Sequence, residues 1–295
     1  LQPVMQEAYR LAYIRKPEFM GNTRTEEKDP KFKVISDLPW SEQEINERLA
    51  AYRQLSDKVE QEWHALPAQK KETYFQLVKY PVQAAAQMNN KLLTAQLARH
   101  GKADWADSDR AYDSIVSLTK TYNTTKWNRM MDFQPRRLLV FNRVERKALS
   151  SGLLEKPQAV YTWNGADCVE GASVICEGLG YEGKAVAVEK KKELTFEFAA
   201  WETDSVEVEV RLLPNHPVEG ERLRFTISLD GSATEAVSYE TKGRSEEWKE
   251  NVLCNQAVRR MILPVARKAS HRLIFTALDE GVVLDQIYLY TPRIK

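Results

Sequence analysis

The chain has 295 residues, 43% hydrophobic and 29% charged, the composition of a globular protein long enough for two ordinary domains. Lys and Arg (43) nearly cancel Asp and Glu (42), leaving a net charge of +1 without the basic excess of a nucleic-acid binder. No segment approaches the ~20 apolar residues of a bilayer span, so neither nucleic acid nor membrane is expected as a partner.

The opening Leu1-Gln2-Pro3-Val4-Met5-Gln6-Glu7 has neither the charged start nor the apolar run of a secretion signal. A start on Leu rather than Met is expected of a chain cut from a longer one, whose targeting signal would lie elsewhere. Residues 1–36 are irregular in pattern and read as the tail of a preceding element and a linker.

Helical spacing then takes over for residues 37–150. Ser41-Glu42-Gln43-Glu44 is a capping box, and Ile45, Leu49, Tyr52, Val59, Trp63 and Leu66 form one apolar stripe behind it. Pro67 suits the first turn of a second helix, which runs through Tyr74, Val78, Val82, Ala85, Met88 and Leu92 and stops near Gly101. Pro81 lies inside it and is expected to kink or split it. A third helix starts at Asp104, with Tyr112, Ile115, Leu118 and Tyr122 inward, and breaks at Asn123-Thr124-Thr125. Three such helices with short connections predict an antiparallel helical bundle.

After Pro157 the period becomes two. Leu194, Phe196, Phe198 and Ala200 alternate with polar residues, as do Val206, Val208, Val210 and Leu212, and Leu223, Phe225, Ile227 and Leu229. Asp230-Gly231 marks a hairpin. Further strands are expected around 260–265, 272–278 and 283–290. Short strands at regular spacing without intervening helices predict that residues 157–295 form an all-β sandwich of jelly-roll or galactose-binding-like kind.

Few residues in these elements carry recognisable chemistry. His64, His100, His216 and His271 lack metal-pair spacing, and no phosphate loop or nucleophile elbow occurs, so no metal or cofactor is expected. Cys168, Cys176 and Cys254 are odd in number; either Cys168 and Cys176 pair in a turn or all three are half-buried thiols. Asp167, Glu170, Asp279, Glu280 and Asp285 are carboxylates of the kind a glycosidase needs, but the favoured reading makes them turn formers and wet-face charges. Trp163, Trp201 and Trp248 are the candidate sugar-stacking residues of the sandwich half, with core packing as the alternative. Lys126, Trp127, Arg136 and Arg137 fall in a basic, aromatic, Met-rich stretch. It is read either as a packing seam or as a substrate-proximal segment whose guanidinium fork meets a uronic-acid carboxylate.

Several ordered motifs carry a resemblance: Arg15-Lys16-Pro17-Glu18-Phe19-Met20-Gly21, Tyr74-Phe75-Gln76-Leu77-Val78-Lys79-Tyr80-Pro81-Val82, Met88-Asn89 with Lys91, and Lys126-Trp127 with Met130-Met131-Asp132 and Pro135-Arg136. The second half adds Gly180-Tyr181-Glu182-Gly183-Lys184-Ala185-Val186, Leu213-Pro214-Asn215-His216-Pro217 and Trp248-Lys249-Glu250-Asn251-Val252-Leu253. Together they resemble the C-terminal part of glycoside hydrolase family 115, the xylan α-1,2-glucuronidases; Asn22-Thr23-Arg24-Thr25 departs from that pattern.

The resemblance implies a multidomain, inverting enzyme that removes glucuronic acid or its 4-O-methyl form from xylan. Its catalytic carboxylates belong to a (β/α)-barrel preceding the helical domain, so no catalytic role transfers to a residue of this chain. It also implies that residues 1–36 trail from that barrel. The partners expected are the barrel, glucuronoxylan or another plant polysaccharide, and a second subunit in a homodimer. The full-length protein is expected to be periplasmic or secreted. The alternative reading makes the β-sandwich a carbohydrate-binding module.

Overall fold

The computed structural model describes residues 1–24, 27–147, 152–171, 174–240, 243 and 245–292. The chain divides into two compact units, Leu1–Lys156 and Pro157–Lys295.

The first unit is helical. Its elements are α1 (Gln2–Ile14), α2 (Glu42–Ala65), α3 (Ala68–Tyr74), α4 (Tyr80–Arg99) and α5 (Trp105–Asn123). The capping box forms as the sequence predicts: the Glu44 amide donates to Ser41 Oγ and the Ser41 amide to Glu44 Oε2 at 2.7 Å. Asp104 caps α5 by accepting from the Ala106 amide. The expected second helix is split around Pro81. A π-turn, Phe75–Lys79, joins α3 to α4, and the Tyr80 amide reaches back to the Phe75 carbonyl. Proline lacks an amide to continue the α-helical ladder, and one wider turn absorbs the register change.

Two apolar clusters fill the unit. Ile45, Met88, Leu92, Leu93 and Ile115 share one with Met20, Leu38, Val140 and Val144 from irregular segments. Tyr52, Val59, Tyr74, Val78 and Val82 share the other with Val4 and Leu11 of α1. Residues 1–36, read from the sequence as a tail, therefore contribute buried side chains to this unit.

The second unit is a β-sandwich. One sheet has the order β2 (Val174–Ile175), β3 (Val186–Val188), β11 (Val282–Tyr290), β5 (Ser205–Leu212), β9 (Ala257–Pro264), with β1 (Tyr161–Asn164) also paired to β11. The other has the order β4 (Glu193–Ala199), β10 (Ser270–Ala277), β6 (Arg224–Leu229), β7 (Ser232–Ala233), with β8 (Val237–Ser238) paired to β6. The named strand pairs are all antiparallel.

Asp230 (φ 52°) and Gly231 (φ 91°) both occupy left-handed backbone between β6 and β7, which is why this dipeptide turns the chain there. The alternating residues of β4, β5 and β6 face one another across the core. Contrary to the expectation of strands alone, α6 (Glu246–Cys254) interrupts this unit. Ser245 accepts from the Trp248 amide, Glu246 and Glu247 sit in the first turn, and Asn255 closes the helix in left-handed backbone. The three cysteines are free.

Candidate functional site

The outward face of the larger sheet is where polar and aromatic side chains concentrate, and a one-residue bulge in β11 creates it. Leu284 pairs with Leu212 but Gln286 pairs with Arg211, so Asp285 is an extra residue in the strand. An extra residue inverts the facing of everything after it. Val282 and Leu284 point into the core, and past the bulge the core positions become Ile287 and Leu289. Gln286, Tyr288 and Tyr290 are thereby turned outward.

Pairing sets Gln286 between Asn164 and Arg211, Tyr288 between Thr162 and Glu209, and Arg260 across from Glu209. A single hydrogen-bonded network spans these four strands. Arg211 Nε donates to Glu209 Oε1 at 2.6 Å and its guanidinium lies 3.8 Å from the centroid of the Tyr288 ring. Arg260 Nε donates to Glu209 Oε2 at 2.7 Å. The Tyr288 hydroxyl and Arg211 Nη1 both donate to Gln286 Oε1, and Gln286 Nε2 donates to Asn164 Oδ1 at 3.1 Å. Asn164 Nδ2 continues the network to Asp167 and Glu182.

Glu209 is only 1% exposed, although it lies on the outward side of the sheet. Burial pulls the Arg211 guanidinium down, but Glu209 and the hydroxyls of Tyr288 and Tyr290 outweigh it and the net shift is upward. Desolvation and the neighbouring Glu209 push Tyr290 up to about 12. Glu209 and the nearby Glu207 offset the charges of the two arginines. The arrangement is a preorganised platform; no side chain in it is poised as a nucleophile.

Beside the platform, Asp285 is fully buried and accepts from the Tyr181 amide at 3.0 Å and from Gln256 Nε2 at 2.8 Å. Burial pushes its carboxyl above the usual carboxylate range against those hydrogen bonds. Gly180, with φ 88°, approaches so closely that a methyl group there would run into Asp285 Oδ1.

The residues singled out in the sequence are scattered. Trp201 lies in the sandwich core, and its Nε1 donates to the Ser205 carbonyl and to Thr203 Oγ1, each at 2.9 Å. Its burial leaves no free indole face for a sugar, which corrects the sugar-stacking expectation at this position. Trp163 is half-buried, packs against the same core and stacks on Tyr161 at 5.4 Å. Trp248 is half-buried in the first turns of α6.

In the helical unit, Lys126 lies 5.3 Å from the centroid of the Trp127 ring and 3.8 Å from Glu72. Trp127 is half-buried. Arg137 is exposed, with left-handed backbone at φ 54°. The side chain of Arg136 lies outside the described residues.

Residues 172–295 match the glycosyl hydrolase family 115 C-terminal domain. A solved family GH115 4-O-methyl-α-glucuronidase, BtGH115A, described as specific for decorated arabinogalactans, is 62% identical over 99% of the chain with a TM-score of 0.96. The chain carries the C-terminal region of glycosyl hydrolase family 115. It spans 39% of that relative's length.

A family 35 carbohydrate-binding module from Clostridium thermocellum covers 45% of the chain and 98% of itself at 11% identity, with a TM-score of 0.35. A module of Cellvibrio mixtus lichenase 5A, solved with cellotriose, covers 46% of the chain and all of itself at 13% identity and a TM-score of 0.33. TM-scores of this size establish no shared binding site. Comparison with curated proteins finds no match.

In this family 115 region, the five carboxylates noted in the sequence are each engaged within the fold. Asp279 holds Arg224 through two bonds of 2.9 Å, and Asp167 caps the turn after β1. Glu170 pairs with Arg272, Glu280 accepts from the Lys190 amide, and Asp285 is placed as above. Sequence reasoning missed the platform residues Arg211, Glu209, Gln286, Tyr288 and Arg260. The signal was present as a change of parity, apolar at 282 and 284 and then at 287 and 289, around Asp285-Gln286.

Proposed function

We propose that this chain is the non-catalytic C-terminal region of a 4-O-methyl-α-glucuronidase acting on decorated plant polysaccharide. The observation that carries the reading is the likeness to BtGH115A, 62% identical over 99% of the chain. The internal engagement of the five carboxylates in the sandwich supports it, because an inverting glycosidase needs two carboxyl groups facing an open cleft with a water between them. The closeness of that relative favours decorated arabinogalactan over xylan as the substrate of the whole enzyme. The helical unit and the sandwich would support the catalytic part and its access to substrate.

Release of 4-O-methylglucuronic acid from arabinogalactan and from glucuronoxylan tests the reading. The isolated chain should release none from either, and an enzyme that includes this region should prefer arabinogalactan. Turnover by the isolated chain would overturn the non-catalytic assignment. A preference of the whole enzyme for xylan would overturn the substrate.

A second reading is favoured by the platform itself: the sandwich as a carbohydrate-binding module that uses the Tyr288–Arg211 stack, with Trp163 and Trp248 as further ring contacts. Affinity electrophoresis in arabinogalactan checks it. Retardation lost in Tyr288→Ala supports the platform, and no retardation of the native chain removes the reading.

A further inference from the structure

Lys91 of α4 is fully buried, and its Nζ meets two backbone carbonyls, those of Val140 at 2.6 Å and Asn142 at 2.9 Å. Both belong to an irregular strap, residues 139–144, laid across the helical unit. No carboxylate among the described residues pairs with this ammonium, and desolvation lowers its pKa to about 7.

The charged groups on the surrounding elements are engaged with one another. Arg143 of the strap bonds to Asp109 and Asp113 of α5 and covers the Tyr112 ring at 4.6 Å, while Lys91 Nζ lies 5.9 Å from the centroid of that ring. Arg146 also holds Asp109. Arg48 of α2 bonds to the uncharged Asn89, and Asp37 joins Arg99 and His100 at the C-terminal end of α4. Ser108 Oγ donates to the Lys91 carbonyl.

We propose that Lys91 is a proton-operated clasp, its neutral amine closing the 139–144 strap and its protonation loosening it. The donor count supports this. A neutral amine has two N–H groups for the two carbonyls and needs no counter-ion. An ammonium brings a third N–H and a charge into a site that supplies no third hydrogen-bond acceptor and no anion, only the Tyr112 ring face at 5.9 Å. Opening the strap lets water reach the ammonium, so the open form takes up the proton more readily.

The strap is also one wall of a cleft of about 550 Å³. Residues 33–37 form the opposite wall and Arg99 contributes to the lining. Gln96 holds Leu38, next to the opposite wall, through both the amide and the carbonyl of that residue, and Asp37 of that wall is tied to Arg99 and His100. Loosening of the strap by protonation of Lys91 acts on this cleft from the strap side.

Hydrogen exchange of the full 295-residue chain across neutral pH tests the clasp. The reporters are the amides of Phe141 and Asn142, which are held by the Leu138 and Leu139 carbonyls. After division by the intrinsic rates, their protection should rise about tenfold per pH unit above pH 7, because only the open form keeps the proton there. It should be flat below pH 7, flat throughout in Lys91→Met, and flat for β5 in the other unit. If Lys91→Met does not fold, the native chain still decides: one ¹³Cε lysine signal should titrate near pH 7. PH-independent protection of Phe141 and Asn142, or no lysine titrating below about pH 9, overturns the proposal.

Discussion

Arg211 sets its guanidinium over the Tyr288 ring, 3.8 Å from the centroid, and the two residues come from adjacent strands whose register is set by the extra residue Asp285. With its guanidinium over the ring, Arg211 donates from Nε to the buried Glu209. Without the bulge, Tyr288 would point into the core and Glu209 would lose the aromatic cover over its partner.

Glu209 is therefore the most sensitive position of the platform. Glu209→Leu should destabilise the sandwich by about 3 kcal/mol, since it leaves the largely buried Arg211 unpaired. Adding Arg211→Met should recover a good part of the loss, because removing both partners also removes the stranded charge. Chemical denaturation of the two variants checks this. Equal instability of single and double variants would show that the pair is not what the position supplies.

Gly180→Ala should cost at least about 2 kcal/mol, combining left-handed backbone strain with a collision against Asp285. Gly178→Ala, where open space surrounds a similar positive φ, should show the backbone share alone. Comparing the two melting curves separates the contributions.

The pair of Asp279 with Arg224 predicts an acid-sensitive contribution. Hydrogen bonds from Arg224 hold the Asp279 carboxyl below the usual carboxylate range. A carboxyl lowered by folding stabilises above its unfolded value, and the stabilisation disappears as pH falls through the folded value. Asp279→Asn should lower stability at neutral pH and decline less steeply below about pH 4, measured by denaturation between pH 2 and 7.

Ser41→Ala should weaken the helical unit by about 1 kcal/mol through loss of the capping box at the start of α2. Ser41→Asp should retain most of the capping energy. Thermal melts followed by helical circular dichroism report both.

The sequence by itself determined the elements that depend on local rules. The capping box at Ser41, the Asp104 cap, the split at Pro81 and the Asp230-Gly231 turn are each specified by a few neighbouring residues. The change of period after Pro157 marked the sandwich, because alternation follows from the pleat of a strand whatever it pairs with. The helix α6 was passed over because its nine residues sit among strands and bury no residue fully.

Tertiary structure alone decided the platform and the fate of the tryptophans. Arg211, Gln286 and Arg260 are brought together by strand pairing across up to 75 positions of sequence, and a single bulged residue selects which faces meet. Trp201 and Trp163 look alike in sequence, yet their exposure depends on what the opposite sheet places over them. Lys91 is an ordinary helical lysine until residues 139–144 cover it. Burial, pairing and charge state are properties of what surrounds a residue, and only the folded chain supplies those surroundings.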